Sequence, residues 1–171
     1  MHEVVGLPEP HEEINREVVR RMLARYSEHL PLIDGAVDRV KRLVPHWPLG
    51  VASSSNRELI DHVLELSGLA PYFKVTVSSE EAERGKPAPD VYLEAARRLG
   101  VQPARSAAIE DSVSGIRSAH AAGMHVVAIP NRAFPPPADV LALASVVLES
   151  IKELDPEVIR EAERLSTASC G

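Results

Sequence analysis

Residues 106–130 read SAAIEDSVSGIRSAHAAGMHVVAIP. An apolar run, Ala107-Ala108-Ile109, stops at two adjacent carboxylates, Glu110 and Asp111, and small residues follow. From Ile116 to Ala122 apolar residues recur at helical spacing, Gly123 closes that segment, and a second apolar run starts at His125. A strand, a helix closed by glycine and another strand make up the crossover unit of a parallel sheet. The two acids at the tip of the first strand raise a question. They repel each other, and both lose water if the tip is covered. Either something positive sits beside them or the pair stands in solvent.

The same alternation continues outward. Residues 12–29 predict a helix, with Val18, Val19, Met22, Leu23 and Tyr26 at its spacing, ended by Pro31. A second helix begins at Gly35 with Val37, Val40, Leu43 and Val44 inward. PLGVASS at 48–54 reads as a strand running into serines, and NRELIDHVLELS at 56–67 as a helix stopped by Gly68. KVTVS at 74–78 is a strand and DVYLEAARRLG at 90–100 a helix. Beyond the quoted stretch, ASVVLES at 144–150 is a fifth short strand and a last helix lies near 156–165. PNRAFPPPA at 130–138 is an irregular loop, because proline cannot join a ladder. Short apolar strands alternating with helices of about a dozen residues predict an α/β fold, a parallel sheet covered on both faces with right-handed crossovers.

Composition narrows the function. The chain has 171 residues, enough for one domain with a real core. Its net charge of −6, with both signs mixed along the chain, argues against nucleic acid as a partner. The single cysteine, Cys170, excludes a disulfide framework within the chain and points to a reducing cytoplasm. No apolar run approaches the ~20 residues a membrane span needs, and MHEVVGLPEPHEE lacks the features of a signal peptide. The seven histidines show no metal-ligand spacing and read as ordinary surface or core residues.

Ligands of such folds bind beyond the C-terminal ends of the strands. Three strand ends carry chemistry-capable residues. Ser53-Ser54-Ser55-Asn56 offers hydroxyls, backbone N–H groups and a helix N-terminus to an anion, or simply caps the helix that follows. In Gly85-Lys86-Pro87 the proline holds the lysine extended, a fixed cation suited to phosphate or carboxylate, or else a solvated loop residue. Glu110 and Asp111 can share a hard cation such as Mg²⁺, or act as one buried cap and one exposed acid. Brought to one rim, the three sets form a phosphoryl-transfer site, and the partners of the two acids are then a metal ion and Lys86.

Serine after an apolar strand, then GKPAPD, then a strand ending in EDS before a Gly-hydrophobic-x-x-Ala helix: from about Pro31 to Leu154 the chain resembles the haloacid dehalogenase-like (HAD-like) hydrolases. It is most similar to the β-phosphoglucomutase and helical-capped sugar-phosphate phosphatase group. The resemblance implies a Rossmann-like three-layer α/β core with a remnant of a helical cap: 1–30 as the C-terminal part of the cap, 31–155 as the core, 156–171 as a C-terminal helix and tail. It implies that Ser53 and the Ser54 N–H hold the phosphoryl group. Lys86 then links phosphate to the nucleophile, and Glu110 and Asp111 bind Mg²⁺. Ser53, Lys86 and Asp111 are thus the catalytic candidates.

The family's first motif, a central strand ending in Asp-x-Asp-Gly that carries the nucleophile, has no counterpart, since no Asp-x-Asp occurs in the chain. The chain thus resembles a member without its first ~50–70 residues. The expected activity is Mg²⁺-dependent phosphatase or phosphomutase action on a small sugar-phosphate ester through an aspartyl-phosphate. The alternatives are a non-catalytic fragment or pseudo-enzyme that binds phosphate and Mg²⁺, and, as a weaker reading, a 2-haloacid dehalogenase. The expected partner is a small phosphorylated metabolite. Open sheet edges also point to a homodimer or strand-exchanged assembly.

Overall fold

The computed structural model describes residues 11–168. The first ten residues expected of the cap, and the end of the tail with Cys170, lie outside them. The elements run α1 (His11–Glu28), α2 (Ala36–Leu43), β1 (Leu49–Ser53), α3 (Arg57–Leu66), β2 (Phe73–Ser78), α4 (Asp90–Leu99), β3 (Ala107–Glu110), α5 (Val113–Ala121), β4 (His125–Ala128), α6 (Ala138–Leu141), β5 (Val146–Val147) and α7 (Pro156–Ala168). All pairings are parallel, as the alternation predicts.

The strands form two sheets. β1 pairs with β2, from Leu49↔Phe73 to Ser53↔Ser78, with an irregularity after Leu49. β3, β4 and β5 form the second, with Ala107↔His125 through Glu110↔Ala128 and Val127↔Val146 in register. Among the described residues no ladder joins β1 to β3. Helices join the halves instead. On one face Tyr92 of α4 packs in a cluster with Ala108 of β3 and Ile116 and Ala119 of α5, against which Ala52 of β1 lies. On the other face Leu43 of α2 packs with Val127 of β4 and Ala162 of α7, with Leu49 of β1 against them. This gives three layers, with α4, α5 and α6 on one side and α2, α3 and α7 on the other.

Period-2 alternation explains the split: Ala108, Val126 and Ala128 face one layer, Val127 the other. Val77, Val91, Ile116, Val126, Val127 and Val140 are at most 1% exposed, each contributing roughly 1.5–3 kcal/mol by burial. Gly50 brings α4 close to β1; a Cβ there would sit 3.0 Å from Leu99 Cδ1. α1 rests on α3, with Val19 buried and Ser27 Oγ 2.9 Å from His62 Nε2.

Three details differ from the sequence reading. Val18, one of the apolar positions at helical spacing, is 48% exposed. The fifth strand shrinks from 144–150 to two residues, because Ser150 turns the chain by capping a short 3₁₀ turn through Lys152 N–H. The proline-rich loop gives way at Ala138 to the single-turn α6, whose Val140 is buried in the core. Pro137, at the helix entrance, has no N–H that the turn would need.

Candidate functional site

A cleft of about 1020 Å³ separates the two sheets. All of β1 forms one wall and all of β3 the other. At the end where both strands finish it is lined by Ser53, Ser54, Lys86, Glu110 and Asp111. The structure therefore brings the candidate residues from three distant stretches to one rim.

Lys86 lies in the loop entering α4, before a cis bond to Pro87. Its Nζ is 2.5 Å from Glu110 Oε1, 3.4 Å from the Tyr92 hydroxyl and 4.7 Å from the Tyr92 ring centre. Tyr92 also donates to Glu110 Oε1, at 2.5 Å. The Lys86 and Glu110 side chains are only 8% and 7% exposed, so the pair is buried together at the rim. Burial first, then the Glu110 charge and hydrogen bond, pushes the Tyr92 hydroxyl's pKa well up, which keeps it a donor. The other Glu110 oxygen, Oε2, accepts from the Asp111 N–H and Ser112 Oγ, both at 3.3 Å. Ser112 caps α5 by accepting from the Gly115 N–H at 3.1 Å. Gly115 is small by necessity: a Cβ would fall 1.8 Å from Glu110 Oε2.

Asp111, by contrast, is exposed. It borders a second hollow of about 420 Å³ with Pro87, Arg117, Asn131 and Phe134. The question posed by the acid pair thus has two answers: Glu110 is matched by Lys86, and Asp111 stands in solvent. For a Mg²⁺ ion the donor set is hard oxygen, Asp111 open and Glu110 engaged with Lys86 and Tyr92. That fits an ion held by one or two carboxylates and completed by water and phosphate oxygens. Among the described residues no three metal-ligating side chains cluster.

Ser53, half-buried at the end of β1, accepts from the Ser55 N–H at 3.1 Å. The loop is pinned to the end of β2, where Ser78 and Ser79 hydroxyls donate to the Ser55 and Ser54 carbonyls at 2.7 and 3.0 Å. The expected capping of α3 by Ser54, Ser55 or Asn56 is not what is found: Asn56 occupies the cap position without a side-chain cap bond. Glu80 does the work, accepting from the Arg57 N–H at 2.8 Å and from Asn56 Nδ2 at 2.5 Å. The Arg57 N–H, first, and the Asn56 amide lower the Glu80 pKa. The serine hydroxyls are therefore not used up as caps. Sequence reasoning missed Tyr92 and Glu80, and it met Gly115 only as part of the Gly-hydrophobic-x-x-Ala helix, without its contact with Glu110.

Fold and site together define a Rossmann-like α/β protein with its polar groups gathered at the C-terminal strand ends. The chain belongs to the haloacid dehalogenase-like hydrolases: the profile of that hydrolase family matches residues 2–123. It is 40% identical over 111 residues to fructose-1-phosphate phosphatase YqaB of Escherichia coli (strain K12), covering 65% of this chain and 57% of that protein. It is 34% identical over 145 residues to hexitol phosphatase B of the same strain, covering 84% and 64%. Among solved structures it superposes on CbbY from Rhodobacter sphaeroides in complex with phosphate, with a TM-score of 0.84 and 26% identity over 94% of this chain and 73% of that one. β-Phosphoglucomutase from Clostridium difficile shares the fold at a TM-score of 0.77 and 23% identity, over 93% and 70%. The chain thus spans 57–64% of the two E. coli phosphatases. No helix among the described residues is long and apolar enough to cross a membrane.

Proposed function

We propose that this chain supplies the phosphate- and metal-binding half of a phosphatase or phosphomutase acting on a small sugar phosphate. The observation that carries the reading is the convergence of Ser53, Lys86 and Asp111 on one rim of the cleft. Ser53 Oγ and the Ser54 N–H hold phosphoryl oxygens. Lys86, fixed by Glu110 and Tyr92, supplies a charge already desolvated and aimed, so little reorganisation is needed when phosphate arrives. Asp111 and Glu110 would hold Mg²⁺, whose charge would offset that of the phosphate. Aspartyl-phosphate chemistry also needs a nucleophilic carboxylate at the rim, and we place it on a strand outside these 171 residues. We assign residues 1–30 to the C-terminal part of a helical cap, 31–155 to the core and 156–171 to a C-terminal helix and tail. The relatives named as fructose-1-phosphate and hexitol phosphatases point the substrate class toward phosphorylated sugars and sugar alcohols.

Calorimetric titration of the purified chain with inorganic phosphate tests this. Lys86→Ala should weaken binding by about 1.5–3 kcal/mol, the size of a charge-assisted contact at a desolvated site. Ser53→Ala should weaken it less. Unchanged affinity in both variants would remove the rim from phosphate binding. The non-catalytic reading predicts the same binding, with no turnover even when a strand bearing the nucleophile is supplied.

A further inference from the structure

We infer that Glu80 is a positioning residue for phosphate: with Ser78 and Ser79 it holds the serine loop 53–56 in the form whose donors face the rim. The inference rests on the proposed phosphate binding and adds the device that shapes that site. The chain leaves β2 through the 3₁₀ turn Ser79–Glu81, which Ser78 opens with a capping box. Successive peptide units of the serine loop end on this turn. Ser79 Oγ donates to the Ser54 carbonyl at 3.0 Å, and the fully buried Ser78 Oγ donates to the Ser55 carbonyl at 2.7 Å. In a planar trans peptide the C=O and N–H groups point opposite ways. With these two carbonyls drawn toward the end of β2, the Ser55 and Asn56 N–H groups turn to the other side, where Ser53, Ser54 and Ser55 line the cleft. The Ser55 N–H is found there, donating to Ser53 Oγ at 3.1 Å. A hydroxyl that accepts one bond keeps its own O–H to donate to a phosphate oxygen. The next peptide unit is reversed. The Arg57 N–H points to Glu80 Oε2 at 2.8 Å, and the Asn56 carbonyl points into α3, accepting from the Ile60 N–H at 3.2 Å. Glu80 thus fixes the residue at which the loop becomes a helix.

A cap alone would not require Glu80. Asn56 already stands at the cap position of α3, and asparagine caps helices unaided. Its side chain is turned to the turn instead, with Nδ2 donating to Glu80 Oε1 at 2.5 Å. The segment that holds the serine loop also leads directly to Lys86, five residues past Glu81. One stretch, 78–86, therefore sets both the hydroxyl and the ammonium at the rim. A carboxylate beside a phosphate loop opposes the ligand by charge, so what Glu80 contributes is its hydrogen-bond geometry.

The test uses the full 171-residue chain, calorimetric titration with inorganic phosphate, thermal unfolding, and amide hydrogen exchange read by NMR. Glu80→Gln keeps an acceptor for the Arg57 N–H and an amide for Asn56, and it removes a charge that repels phosphate. It should bind phosphate at least as tightly as the wild type. Glu80→Ala should bind about fivefold more weakly, the size of one net hydrogen bond. Exchange at 55–57 should quicken in Glu80→Ala and not in Glu80→Gln. Tm should move little in either, because a released Asn56 caps α3 in place of Glu80. Ser79→Ala removes a different bond to the same loop and should also weaken phosphate binding. Unchanged affinity in Glu80→Ala and Ser79→Ala would overturn the inference, as would a Glu80→Gln that binds as weakly as Glu80→Ala. An affinity loss in Glu80→Ala that comes with a large drop in Tm would also overturn it, since Glu80 would then be a structural cap. Phosphate binding insensitive to Ser53→Ala would count against the phosphate site itself; quickened exchange at 55–57 in Glu80→Ala would then leave the loop clamp standing, and unchanged exchange would remove it as well.

Discussion

Replacing Gly115 by alanine sets two effects of opposite sign against each other. Gly115 is in the first turn of α5, and there alanine is the better helix former by about 1 kcal/mol. Against this, the new Cβ would meet Glu110 at 1.8 Å from Oε2, 2.1 Å from Cδ and 2.4 Å from Oε1. The helix backbone cannot retreat while Ile116 and Ala119 are fully buried on the sheet, so the carboxylate must leave. Its departure strands the Lys86 ammonium and the Tyr92 hydroxyl, both bonded to Oε1. Breaking a buried pair by losing one partner costs about 3–5 kcal/mol. The net loss is about 2–4 kcal/mol, or roughly 4–16 °C of Tm for a chain of this size. Thermal unfolding followed by circular dichroism reads it. The decisive control is the same substitution in a Glu110→Ala background, where no carboxylate is left to collide with. There Gly115→Ala should be neutral or mildly stabilising. A wild-type background that tolerates Gly115→Ala, or an equal loss in both backgrounds, would refute the placement of Glu110 between Lys86 and α5.

Two further expectations concern charge. The Arg57 guanidinium, followed by the Ser78 N–H and Arg98, holds the Glu81 carboxyl at about 2, below its usual value of 4.5. A carboxyl depressed on folding contributes stability above its unfolded pKa and loses it as pH falls toward the folded one. Between about pH 4.5 and 2, Tm should therefore fall more steeply for the wild type than for Glu81→Gln; parallel curves would show that the pair with Arg57 adds nothing. Mn²⁺, used as a probe for Mg²⁺, should bind weakly at Asp111, detectable by water-proton relaxation, and Asp111→Asn should abolish it. Equal binding by an Asp111→Asn, Glu110→Gln double variant would move the metal elsewhere.

The parallel α/β fold was legible because its signals are local. Apolar runs such as KVTVS and HVVAIP, each followed or preceded by a glycine-stopped helix, place strands within a residue or two of where they are found. α6 was not legible, since four residues after three prolines show no periodicity, and only the tertiary burial of Val140 makes the turn worthwhile. The rim could be assembled from sequence because strand ends in a parallel sheet converge by topology. What lay hidden were partners chosen across the fold. Tyr92 reads as one more apolar position of α4, yet its hydroxyl reaches Glu110, 18 residues on. Glu80 caps a helix that starts 23 residues earlier, a contact no sequence window spans. One buried and one exposed acid was among the readings the sequence offered; which of the two is buried was not legible, because β3 ends at Glu110 and strand alternation gives no guide beyond it.

The seam between the two sheets bears on how the molecule comes apart. Hydrogen-bond ladders are directional and give way together, whereas apolar packing across Tyr92–Ala108 and Leu43–Val127 is non-directional and yields by degrees. With no ladder crossing the seam among the described residues, the β1–β2 half with α3 and the β3–β4–β5 half with α5 and α7 meet through packed side chains. Hydrogen exchange should therefore find openings that part the halves at lower free energy than openings that break a ladder.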